Sequence, residues 1–103
     1  MVSVSDISPA RRHHLMPTYV VERYVPRSTA NELRSDGERV TQAAQGLSCA
    51  EKSTVSYLSS IYMPDDEVSF CLFSGDSVDS IAASFERAQI AFDRILEAEV
   101  LKP

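Results

Sequence analysis

Glycine is scarce in this chain. Only Gly37, Gly46 and Gly75 occur in 103 residues. So widely spaced, they cannot form a P-loop or a GxGxxG turn, which need clustered glycines to bring backbone N–H groups against phosphate. GxSxG and HExxH are absent as well, which removes the usual serine-hydrolase and zinc-protease signatures. Histidine occurs only at His13 and His14, so no imidazole base or ligand is available from residue 15 onward. The two cysteines, Cys49 and Cys71, show neither CxxC nor a Cys/His zinc spacing. Cys71 sits in an apolar strand pattern, where a thiol behaves as a small hydrophobe, and no disulfide is expected. Basic residues are outnumbered, 10 Lys and Arg against 15 Asp and Glu, for a net charge of −5. That argues against nucleic acid or an anionic membrane as partner, since both need a basic face. No apolar run reaches the roughly 18 residues of a membrane span. Arg11 and Arg12 are not followed by the apolar segment of a signal peptide, and the expected location is cytoplasmic.

What is present is an ordinary globular composition, 44% hydrophobic and 24% charged, of a length that suits one domain. Residues 1–15 are polar and serine-rich and are expected to be a disordered extension. A single domain is expected over 16–103, with Met16 an alternative start. The organising stretch is Thr54 to Phe73, TVSYLSSIYM-PDDE-VSFCLF, read as two strands around a polar turn and expected at the centre of a sheet. Strict alternation puts Val55, Tyr57, Ser59, Ile61 and Met63 on one face, so Tyr57 and Tyr62 fall on opposite faces. Before it, Thr18–Val25 reads as a strand. Thr29 and Glu32 have capping-box spacing, and Ala30, Leu33, Gly37, Val40, Ala44 and Leu47 form one apolar helical stripe. Gly37 on that stripe allows close approach to the strands. After the hairpin, Val78, Ile81, Ala82, Phe85 and Ala88 mark a second helix capped by Asp76 or Ser77, and Phe92–Leu101 reads as a last strand.

The order βαββαβ predicts an α+β, ferredoxin-like fold: a four-stranded antiparallel sheet with two helices on one face. Sizeable apolar side chains fall on both faces of that sheet, so the uncovered face is expected to meet a second copy. Two sheets packed in this way would make a dimeric α+β barrel with a small cavity.

Glu22, in mid-strand within VVER, is the polar residue that stands out. Inside such a cavity it would be a buried carboxylate that must pair with a cation, bind a metal or carry a raised pKa; otherwise it pairs across strands with a residue such as Arg23 or Arg94 of a neighbour. Tyr57, Tyr62 and Cys71 are the hairpin residues expected to line a cavity or fill the core. Asp65, Asp66 and Glu67 crowd the turn and are read as solvated.

From Met16 onward the chain resembles a bacterial family of unknown function whose best-described relative is a small nickel-binding protein. The resemblance rests on MPTYVVER (Met16 to Arg23), VSYLSSIYMPDDEVSFCLF (Val55 to Phe73) and FDRILEAEV (Phe92 to Val100). It implies a ferredoxin-like fold and a homodimer. Family members often carry a histidine in the second helix, at the position of Ser84 in SFERAQ. A hydroxyl is a poor substitute for imidazole on such a metal, leaving Glu22 as the remaining metal candidate. The expected function is a homodimer that binds a small ligand or a divalent metal such as nickel, without catalysis. The alternative is a cofactor-independent monooxygenase or isomerase; a third reading is an interaction module with an acidic surface.

Overall fold

The computed structural model describes residues 16–47 and 55–103. The extension expected over 1–15, Cys49 and the link after the first helix lie outside them. The elements are β1 (Thr18–Tyr24), α1 (Ala30–Leu47), β2 (Ser56–Met63), β3 (Val68–Ser74), α2 (Val78–Ala88) and β4 (Arg94–Ala98). The sheet runs β2-β3-β1-β4, with every pairing antiparallel.

Two expectations are corrected by this order. The hairpin β2–β3 is not the centre of the sheet: β3 and β1 are the inner strands, and β2 is an edge. Nor does the sheet close into a barrel. It is an open sheet with edges at β2 and β4. Closure needs about eight tilted strands, and one chain supplies a single four-stranded sheet. The apolar groups that suggested a second layer remain in place, with Ile61 59% and Leu96 46% exposed.

The α+β, ferredoxin-like reading itself stands. Along β1, Tyr19 and Val21 are buried beneath the helices, while Thr18, Val20, Glu22 and Tyr24 take the other face. In β3, Ser69, Cys71 and Phe73 point to the helices in the same alternation. Leu33, Gly37, Val40 and Ala44 of α1 are buried, as a helix packed on a sheet requires. In α2 the buried residues are Ile81, Ser84, Phe85 and Ala88; Val78, placed on the stripe by its spacing, is exposed in the first turn. An aromatic chain joins the layers. Tyr57 and Phe73 have ring centroids 5.4 Å apart, Phe73 and Phe85 5.3 Å, and Phe85 and Phe92 5.5 Å. Each such pair contributes about 0.5–1.5 kcal/mol beyond its burial.

β1 also carries Arg23 on its helix-facing side. Its Nε donates to the Ala91 carbonyl at 3.1 Å and its Nη1 meets Asp36 Oδ2 at 3.2 Å. Arg39 reaches the same carboxylate at 3.5 Å and donates to the Ala88 carbonyl at 2.9 Å. Asp36 thus lets two guanidinium groups tie β1 and α1 to the C-terminal end of α2. Charge-assisted bonds of this kind are stronger than neutral ones.

The decisive local feature is in β2. Tyr57 pairs with Phe73, but Ser59 pairs with Leu72, so Leu58 is an extra residue in the ladder. Such a bulge shifts all following side chains to the opposite face. Tyr57, Ser60 and Tyr62 therefore lie on the helix side, opposite Phe73, Cys71 and Ser69, and Ser59, Ile61 and Met63 lie on the open side. The expected placement of Tyr57 and Tyr62 on opposite faces fails for this reason.

A candidate ligand groove between the first helix and the edge strand

The bulge brings both tyrosines to the seam between β2 and α1. There they border a groove of about 320 Å³, which Ala30, Leu33 and Arg34 line from the helix and Leu58 and Ser60 line from the strand. The volume is at the lower end of the range for small-molecule sites. Tyr57 lies close against α1 because Gly37 faces its ring. A Cβ at Gly37 would stand 2.6 Å from Tyr57 Cδ1. The backbone N–H of Tyr57 donates to Thr41 Oγ1 at 3.0 Å, fixing the start of β2 on the helix.

The polar groups of the groove are partly used by the protein. The Tyr62 hydroxyl donates to the Ser28 carbonyl at 2.8 Å. The Tyr57 hydroxyl and Ser60 Oγ are 2.6 Å apart, and either oxygen can donate. Arg34 donates one N–H to Asn31 Oδ1, one turn earlier on the same helix. Among the described residues no carboxylate lies within ion-pair distance of Arg34.

The remaining sequence candidates are elsewhere. Glu22 is on the open face, where Oε1 meets Arg94 Nε at 2.6 Å. The cross-strand register places the two opposite each other. Cys71 is a buried free thiol, with Sγ 3.4 Å from Ser69 Oγ. Ser84 is buried, and its hydroxyl donates to the Ser80 carbonyl at 2.8 Å, a bond that satisfies a serine within a helix. In the turn, Glu67 is a clamp. Its carbonyl accepts from Val25 N at 2.7 Å, and its carboxylate accepts from Arg27 N at 3.0 Å and from the Tyr24 hydroxyl at 3.4 Å.

Of the residues that line this candidate groove, the sequence marks Tyr57 and Tyr62 as cavity candidates and does not mark Arg34, Ser60 or Leu58. No sequence signal pointed to this: tyrosines at 57 and 62 are an odd number of residues apart, and they share a face only because the strand carries the extra residue Leu58.

The same placements decide how a metal would fit. Among the described residues no group of three or more His, Cys, Asp or Glu side chains could hold an ion. Glu22 is committed to Arg94, Cys71 lies in the core, and Ser84 offers a hydroxyl already spent on its own helix. These donors neither converge nor match what a borderline-soft divalent ion selects. Residues 16–47 and 55–103 do not fit a nickel site.

No curated protein sequence matches the chain. Its fold is similar to the crystal structure of SCO4226 from Streptomyces coelicolor A3(2), with a TM-score of 0.62 and 19% identity over 82% of this chain and 99% of that one. At that identity the likeness is one of fold. The family described as nickel-responsive proteins like SCO4226 matches residues 19–98, from the second residue of β1 to the end of β4. The chain belongs to this SCO4226-like family.

Proposed function

We propose that the chain is a homodimeric binding protein that takes a small organic ligand in the groove between α1 and β2, without catalysing a reaction and without a nickel ion held on residues 16–47 and 55–103. The observation that carries this reading is the convergence of Tyr57, Ser60, Tyr62 and Arg34 on one groove, while the side chains a metal would need are dispersed. Hydroxyls and a guanidinium orient a ligand by hydrogen bonds. Among the lining residues there is no histidine, carboxylate, lysine or cysteine, and of the usual proton-moving groups only tyrosine is present, which favours binding over the monooxygenase or isomerase alternative. The family's association with nickel bears on its relatives; here the second-helix position carries Ser84.

Two measurements test it. Titration of the full chain with a small-fragment mixture should shift the Tyr57 and Tyr62 ring resonances while leaving Tyr19, buried under the helices, unmoved. Nickel calorimetry on an untagged His13→Ala, His14→Ala chain should give no saturable heat at micromolar concentration. Tight one-to-one binding there would overturn the organic-ligand reading.

A further inference from the structure

We infer that the groove selects a small organic acid with a flat or branched apolar body, a carboxylate meeting Arg34 and the Tyr57–Ser60 pair; this assignment rests on the groove being the ligand site. The argument is a count of hydrogen-bond donors. The Tyr57 and Ser60 hydroxyls are bonded to each other at 2.6 Å, and each oxygen carries one hydrogen. Whichever oxygen donates, the other keeps a hydrogen, and among the described residues neither has a second acceptor. Arg34 spends one of its N–H groups on Asn31, and a guanidinium has five. The groove therefore offers spare donors from two sides and one fixed positive charge. The Tyr62 hydroxyl hydrogen is already used on Ser28, so Tyr62 supplies no spare donor.

A carboxylate is the group that accepts from both sides at once, and a planar guanidinium matches it in a two-bond arrangement. Between these groups, Leu33, Leu58 and the tyrosine rings give an apolar wall, which excludes a purely polar anion such as phosphate as the best fit. The chain's net charge of −5 opposes an anion at long range. That field is screened beyond about 8 Å at physiological ionic strength, whereas the Arg34 contact is made within hydrogen-bond distance, so the local cation decides. Glu38, one turn further along the helix, makes no ion pair with Arg34 among the described residues, and Glu32 is engaged in the capping box with Thr29 N at 2.9 Å.

The test uses the full chain with benzoate as acid probe and benzyl alcohol as its neutral counterpart, read by tyrosine ring shifts. Benzoate should bind in the millimolar range. Arg34→Gln should weaken it at least tenfold while benzyl alcohol changes less than twofold. Tyr57→Phe with Ser60→Ala should weaken benzoate by a smaller factor, because the rings' apolar wall is kept. Benzoate binding that is indifferent to Arg34→Gln overturns the inference. Benzyl alcohol binding without benzoate binding overturns the acid assignment and leaves the groove as the site. Silence from both probes removes the acid assignment and counts against the groove itself.

Discussion

Gly37 is a residue whose cost and use can be separated. In a helix interior it costs about 1 kcal/mol relative to alanine, yet an added Cβ would lie 2.6–2.7 Å from three ring carbons of Tyr57. Forcing a methyl into a packed contact costs about 1–3 kcal/mol, so the clash outweighs the gain in propensity. Gly37→Ala should lower the melting temperature in the native background and raise it in a Tyr57→Ala background, where the ring is gone. A sum of single effects that matches the double variant would show that the two residues do not meet. Gly37's role was legible in the sequence, since its place on the apolar stripe announces a close approach. The Glu22–Arg94 pair was legible only as one option among several, because the pairing depends on strand order. With Arg94 65% exposed, Glu22→Gln should cost less than about 1 kcal/mol in denaturant unfolding.

At the scale of elements, the ends of the helices were readable because caps are local. Thr29 N donates to Glu32 Oε1 at 2.9 Å and Glu32 N to Thr29 Oγ1 at 3.2 Å. Thr29→Ala should therefore destabilise the chain by about 1 kcal/mol. The end of α2 was less readable, since it stops without a glycine. Gln89 takes φ 61° and its N–H donates to the Glu86 carbonyl at 3.0 Å. A side chain in the left-handed region carries a strain of roughly 1 kcal/mol or more, partly offset by glycine's extra freedom when unfolded. The cap's bonds are made by the backbone, so Gln89→Gly should retain them and raise the melting temperature by a few degrees; a fall would show that the glutamine side chain contributes more than its strain. The β2 bulge was not readable by period-two alternation. That rule assumes no inserted residue, and one insertion reverses the face of everything after Leu58.

At the scale of the molecule, both the fold class and the uncovered sheet face were legible, and what covers that face was not, because a sequence does not print its partner. Val20, Phe70 and Leu72 are half-buried in the middle of that face, with Ile61 and Leu96 exposed toward its two edges. A contiguous apolar surface of this kind on a monomer marks an interaction site. In the proposed homodimer this uncovered face is the contact surface, with Glu22 and Arg94 on the same face as the apolar groups. Two-fold pairing makes one patch meet itself, so a single added charge enters the contact twice. Ile61→Lys should convert a dimeric mass in light scattering to a monomeric one with the far-ultraviolet circular dichroism unchanged, since the lysine ammonium is solvated in the separate chain. The native chain's melting temperature should rise with protein concentration and the variant's should not, because association stabilises only the folded state. A monomeric mass for the native chain at high micromolar concentration would remove the dimer and leave the groove, which one chain forms alone.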